Sequence, residues 1–245
     1  MQEEYHQNGF AIVKEVFSAE EVELLKGQVQ RHVRQVIASA ESGEVFYEDA
    51  STKSVRCLFR MEERSDYFRQ LMRDPRLVGV AEAVFGATAV VQDGVHLIDK
   101  APSTSYEFPY HQDNAYQFWD PPECVAVTLA LDESTPESGA IVCLKGSHIL
   151  GGLAHHPSGV LGASLGLTEV PDIKRYPEVP LCLRPGDLAL HHTNVIHRTG
   201  PNRTHQHRQH LGFTYHSGRA RRDDEANAQF LQHIKRINER FSCGK

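Results

Sequence analysis

The chain has 245 residues, 40% of them hydrophobic and 8% aromatic, enough for one large domain with a substantial core. A formal net charge of −6 argues against nucleic acid or an anionic membrane as an obligatory partner, and the local cluster Arg219, Arg221 and Arg222 reads as a solvated face. The five cysteines are odd in number, widely spaced and without a CxxC pair, which indicates reduced thiols rather than a disulfide framework or a Cys-rich zinc site.

In chain order, Gly9 to Phe17 is a short apolar, β-branched run that predicts a strand. Ser18 with Glu21 forms a capping box before Val22, Leu25, Val29, Val33 and Val36, whose spacing predicts a helix. After a polar stretch containing Gly43 and Ser51, Leu71 to Phe85 reads as a second helical region ended by Gly86. The texture then turns to strands: Val90 to Ile98, Cys124 to Leu131, Ala140 to Leu144, Pro180 to Leu183, Asp187 to His192 and His210 to His216. Asp132 to Gly139 is a turn-rich connection, and Pro185-Gly186-Asp187 a tight one. Gly146 to Tyr176 has no convincing periodicity and reads as a functional lid, while Asp223 to Phe241 carries Phe230, Leu231, Ile234 and Ile237 on one helical face. Many short strands separated by Gly/Pro turns predict a mainly β single domain over 1–245, a jelly roll of two sheets with helices outside one of them.

No run of about eighteen apolar residues occurs, and the start Met1-Gln2-Glu3-Glu4 is acidic, so no membrane span or export signal is expected. The end Ser242-Cys243-Gly244-Lys245 is not a peroxisomal address. A cytoplasmic location follows as the default.

The chemistry-bearing residues are His111-Gln112-Asp113 beside an expected strand, His197 downstream, and Arg208 beyond it. Two imidazoles and one carboxylate on one face are the ligand set of a mononuclear non-heme Fe(II) oxygenase, which leaves half an octahedron open for a bidentate 2-oxo acid and for O2. A lone HxD triplet is weak, since fifteen histidines in 245 positions produce about 0.7 of them by chance. The downstream half adds weight: Gly186-Asp187 opens an apolar strand and is followed by His197-Arg198-Thr199, Asn202 and Arg208. A 2-oxo acid has a distal carboxylate that needs neutralising in an apolar pocket, a task suited to an arginine fork at Arg208 with a hydroxyl from Thr199. On an alternating strand His191 and His192 point to opposite faces, and His192 is expected to pack rather than ligate. His205, His207 and His210 read as solvated or strand-edge residues, whereas His155-His156 lies in the expected lid.

The sequence resembles the phytanoyl-CoA dioxygenase family of Fe(II)/2-oxoglutarate-dependent oxygenases. The resemblance runs from Asn8-Gly9-Phe10-Ala11-Ile12-Val13 through His111-Gln112-Asp113, Tyr116, Ser138-Gly139 and Gly146-Ser147-His148. It continues through Gly186-Asp187, His192, His197, Thr199, Asn202 and Arg208. It implies a double-stranded β-helix, with His111, Asp113 and His197 as the catalytic iron ligands and Arg208 with Thr199 as the grip on 2-oxoglutarate. It also implies Arg56 at the position of a lysine that faces the cosubstrate in relatives, and Thr128 on the wall where some relatives carry tryptophan. Lys100 also fits the family pattern or ends a strand. Halogenating relatives have a small residue at the Asp113 position, so a carboxylate there favours hydroxylation. Tyr116, Trp119 and Tyr215 are expected to line the substrate pocket.

The expected function is therefore Fe(II)- and 2-oxoglutarate-dependent hydroxylation of a small molecule, using O2 and releasing succinate and CO2. Two other classes fit weaker subsets of these residues. One is a non-catalytic metal-binding jelly-roll sensor. The other is a cupin-like metalloenzyme that uses no 2-oxo acid and binds metal through His111, His191 and His197.

Overall fold

In the computed structural model, which describes residues 1–37, 45–49, 54–86, 88–91, 94–160, 163–230 and 232, the chain opens with α1 (Gln2–Asn8) and β1 (Phe10–Val13). The capping box then starts α2 (Ala19–Ile37), with Ser18 N–H donating to Glu21 Oε2 at 2.8 Å and Glu21 N–H to Ser18 Oγ at 3.3 Å. The hairpin of β2 (Val45–Asp49) and β3 (Ser54–Leu58) precedes α3 (Met61–Arg64), α4 (Asp66–Leu71) and α5 (Pro75–Phe85). The helical region expected from Leu71 begins its last helix only at Pro75, because a proline without an N–H suits a first turn and Asp74 caps it through Arg76 N–H at 2.9 Å. Gly86 ends that helix in the left-handed region, as expected.

The strand run from Val90 to Ile98 is divided between β4 (Ala89–Val91) and β5 (His96–Lys100). Next come β6 (Phe108–His111), α6 (Asn114–Gln117), β7 (Trp119–Asp120), β8 (Cys124–Ala130) and β9 (Ile141–Leu144). Residues 146–176, expected as an irregular lid, contain the hairpin β10 (His155–Val160) and β11 (Ala163–Leu167). Its first strand has no apolar alternation, and the second alternates its apolar residues with Ser and Gly, which read as turn signals. The chain finishes with β12 (Glu178–Pro180), β13 (Leu188–His192), β14 (His197–Thr199), β15 (Arg208–Ser217), β16 (Arg221–Arg222) and helix over 224–230. Gly43 and Ser51, and Leu231, Ile234 and Ile237 of the expected C-terminal helix, lie outside the described residues. Among the described residues no helix is long and apolar enough to cross a membrane, and Cys57, Cys124, Cys143 and Cys182 are free thiols.

The strands form a mainly β jelly roll with flanking helices. A large antiparallel sheet has the order β1-β13-β8-β15-β5-β3-β2, with β4 on β15, and faces a smaller sheet of order β12-β9-β14-β6. Alternation divides the central strands of the large sheet. Val125, Val127 and Leu129 of β8 and Leu211, Phe213 and Tyr215 of β15 face outward, into a core shared with Val22, Leu25 and Val29 of α2 and Leu77, Ala81 and Val84 of α5. The opposite parity, Ala126 and Thr128 on β8 and Arg208, His210, Gly212 and Thr214 on β15, turns between the sheets. The helices bury one face of the large sheet so that the other can line a cavity.

Gly186 joins this sheet to the N-terminal elements. Its φ is +91°, and a Cβ there would stand 2.1 Å from the Phe17 carbonyl oxygen, while its own carbonyl accepts from Val16 and Phe17 N–H. Gly186→Ala should cost about 2–4 kcal/mol, from the strained backbone plus a clash with main chain that cannot swing aside. Urea unfolding should report it as a lower midpoint at unchanged m; a midpoint equal to the wild-type value would contradict the placement of this turn.

Candidate metal centre and the cavity behind it

His111 ends β6 and His197 opens β14, and the two strands pair with His197 opposite His111. Asp113 follows on the short loop before α6. Gln112, between the two ligand-type residues, is 1% exposed and holds the loop: its Nε2 donates to Gly151 O at 2.8 Å and Asn194 O at 2.7 Å, and its Oε1 accepts from Leu153 N–H at 2.8 Å. Its own N–H donates to His155 Nε2 at 3.0 Å, so His155 braces the loop from the hairpin.

One ligand atom from each of His111, Asp113 and His197 can be chosen so that all lie within 4.8 Å of one another, and no other such group of His, Cys, Asp or Glu is found among the described residues. Asp113 Oδ1 is 3.6 Å from His111 Nε2 and 3.6 Å from His197 Nε2. The Nδ1–H of His111 donates to Pro109 O at 2.8 Å and that of His197 to Val195 O at 3.1 Å. These bonds assign the tautomer, leaving the two Nε2 lone pairs for a cation. Burial disfavours the imidazolium form and lowers both pKa values, well below the usual range for His197. Burial alone would raise the Asp113 carboxyl, but His197, His191 and His111 around it more than offset that and hold it below the ordinary carboxylate value. Two neutral imidazoles and one ionised carboxylate suit a divalent iron site.

Behind the triad lies a cavity of about 380 Å³ between the sheets. At its far end Arg208 is 1% exposed; Nη1 donates to His210 Nδ1 at 2.9 Å and Nη2 to Gly139 O at 3.2 Å. Arg208 Nε, Thr199 Oγ1 and His210 Nε2 are buried there without hydrogen-bond partners. Because Arg208 donates to Nδ1, the His210 proton sits on Nε2, giving a further donor. Burial, with the Arg208 and Lys100 cations beside it, keeps His210 well below the usual imidazole pKa and therefore neutral. The midsection carries Thr128, paired with Gly212, and His96, whose ring occupies the space a Gly212 Cβ would need, 2.1 Å from its Nε2. Tyr116 and Gln117 of α6 stand over the triad, and Tyr116 Oη donates to Leu165 O of the hairpin at 3.1 Å. Phe230, from the helix over 224–230, packs edge-on to Tyr116 at 5.8 Å between centroids.

The structure therefore brings together His111, Asp113, His197, Thr199, Arg208, Thr128 and Tyr116 around one cavity. Three expected residues fall elsewhere. Tyr215 has the parity of Leu211 and Phe213 and points outward, its hydroxyl donating to Met72 O at 2.9 Å. Trp119 pairs at the β7–β16 edge and stacks on His216 at 4.2 Å. Arg56 reaches across its hairpin to Glu48 at 2.8 Å and lies 4.0 Å over the Tyr106 ring, so its charge is met away from the cavity lining. Lys100 ends β5 and is fully buried, with Nζ donating to Tyr106 O at 3.0 Å; burial and the neighbouring Arg208 push it down to about 7. His192 faces Tyr5 and His148, whereas His191 faces the cavity. His210, read from sequence as a surface or edge residue, is 3% exposed and part of the cavity. The two-residue spacing from Arg208 was the signal that could have found it.

A jelly roll holding two histidines, a carboxylate and a buried arginine in the lining of one cavity defines the mononuclear non-heme iron class of site. A family model described as phytanoyl-CoA dioxygenase (PhyH) matches residues 5–210, and the chain belongs to this family of Fe(II)/2-oxoglutarate-dependent oxygenases. It is 26% identical over 152 residues to the ectoine dioxygenase of Stutzerimonas stutzeri (strain A1501), covering 60% of this chain but only 49% of that relative. It is also 26% identical over 209 residues to a probable alpha-ketoglutarate-dependent hypophosphite dioxygenase of Stutzerimonas stutzeri, covering 82% of this chain and 72% of that one. Among solved structures it resembles EvdO2 from Micromonospora carbonacea var. aurantiaca complexed with 2-oxoglutarate. The TM-score is 0.70 at 26% identity, with 89% of each chain covered.

Proposed function

We propose that this protein is an Fe(II)- and 2-oxoglutarate-dependent dioxygenase that hydroxylates a small-molecule substrate, with release of succinate and CO2. The observation that carries the reading is one cavity with two complementary ends: the His111, Asp113, His197 triad at one, and three buried, unpartnered polar atoms of Thr199, Arg208 and His210 at the other. Unpaired buried polar atoms are costly, so such a cluster marks where a ligand completes the hydrogen bonding. The triad would hold Fe(II), which when bound supplies open positions for a 2-oxo acid and O2 and the redox chemistry that couples decarboxylation to substrate oxidation.

This chain's residues do the positioning. The Arg208 guanidinium neutralises the distal carboxylate of 2-oxoglutarate, and Thr199 Oγ1–H and His210 Nε2–H donate to it. Thr128 forms the wall beside the cosubstrate. Tyr116 contacts the substrate and, through Leu165, ties the hairpin over the site, so that water is kept from the reacting centre. A cavity of about 380 Å³ suits a small molecule, in keeping with relatives named for ectoine and hypophosphite. His191 Nε2 lies 2.9 Å from Asp113 Oδ2 rather than in the three-atom cluster, which weighs against the cupin-like ligand set His111, His191, His197.

Anaerobic titration of the Fe(II)-loaded protein with 2-oxoglutarate tests the reading. A weak visible charge-transfer band, followed on admission of O2 by slow succinate formation, is expected. Absence of both would leave a metal-binding sensor or a metalloenzyme independent of 2-oxo acids.

A further inference from the structure

We infer that His191 is a positioning residue that holds one oxygen of Asp113 by a hydrogen bond and so orients the carboxylate toward the two ligand-type imidazoles; the inference rests on the metal site proposed above. His191 lies on β13, paired with Phe10 of β1 on one side and Ala126 of β8 on the other, so its backbone is fixed by two ladders. It is 4% exposed, and its ring centroid is 4.4 Å from that of His197. Its Nε2 donates to Asp113 Oδ2 at 2.9 Å, the only hydrogen bond made to the Asp113 side chain among the described residues. The other oxygen, Oδ1, is the one equidistant at 3.6 Å from the two ligand-type Nε2 atoms. Oδ2 is thus engaged and Oδ1 is presented, a division of labour set by a buried ring on a backbone held by two strand ladders. His191 Nδ1 is buried and unpartnered, so the ring's polar contact is to Asp113 alone.

The consequence concerns which oxygen the site presents. A carboxylate free to rotate can turn either oxygen toward the site, whereas one held at Oδ2 is biased to present Oδ1. Outer hydrogen bonds of this kind orient ligands and raise metal affinity. The effect acts through Asp113, so it should be read in metal binding itself rather than only in turnover.

The test uses Co(II) in place of Fe(II), titrated anaerobically into wild type, His191→Phe and His191→Gln, with affinity from calorimetry and ligand count from X-ray absorption. His191→Phe should bind Co(II) about 10–100-fold more weakly. His191→Gln, whose amide N–H can reach Oδ2, should recover most of that loss. Metal-free thermal unfolding of the Gln variant close to wild type would separate positioning from folding. Unchanged affinity in His191→Phe, or His191→Gln no better than Phe, overturns the inference while leaving the iron site intact. Loss of one nitrogen ligand in His191→Gln overturns it too, because His191 would then itself be a ligand. A wild-type protein that binds no Co(II) would overturn the metal site and the inference together.

Discussion

Asp113→Ala should abolish 2-oxoglutarate turnover, lowering the succinate rate by about 10³-fold or more, with iron stoichiometry falling in parallel. The substitution removes the only anion of the triad and leaves two imidazoles, His111 and His197, which burial keeps neutral and which bring no negative charge to a cation. It also leaves His191 Nε2–H, now bonded to Oδ2, without an acceptor in a buried place. Asp113→Asn keeps the shape and removes the charge, and should lose nearly as much, which would identify the anion rather than the volume as the requirement. Iron content by mass spectrometry and succinate by enzymatic assay check both. Full turnover in Asp113→Ala would rule out the triad.

Arg208→Ala should raise the 2-oxoglutarate concentration needed for half-maximal uncoupled turnover roughly 10²–10³-fold, the equivalent of leaving a buried charge unpaired. The rate at very high 2-oxoglutarate should approach the wild-type value, because in its proposed role Arg208 would grip the cosubstrate from outside the triad, its own hydrogen bonds going to His210 and Gly139. The variant should lose discrimination against a 2-oxo acid that lacks the distal carboxylate, since the wild-type advantage resides in that group. Arg208→Lys should not rescue it fully: a point charge cannot reproduce the fork that donates to His210 and Gly139 and still keeps Nε for the ligand. An unchanged half-saturation value for Arg208→Ala would favour the cupin-like alternative.

What was legible along the chain was whatever depends on near neighbours in sequence. The capping box at Ser18 and Glu21, the glycine end at Gly86 and the strand alternation that sends His191 and His192 to opposite faces are local, and each formed as expected. The same alternation contained information that was read incompletely. Arg208, His210, Gly212 and Thr214 share one face, so His210 belonged with Arg208, and Tyr215 had to belong with the helical core. The hairpin was missed because its first strand, His155–Val160, has no apolar alternation, while the second, Ala163–Leu167, alternates its apolar residues with Ser and Gly, which read as turn signals.

By itself the sequence determined the kinds of group available: two imidazoles and one arginine on strands, with one carboxylate two residues past the first imidazole. Only the tertiary structure decided which of fifteen histidines converge. Pairing of β14 with β6 sets His197 opposite His111, pairing of β13 between β1 and β8 aims His191 at Asp113, and folding of β2 onto β3 takes Arg56 to Glu48. The physical reason is that strand alternation fixes a side chain's direction locally, whereas its distance from another strand's side chain depends on a register set by contacts far apart in the chain.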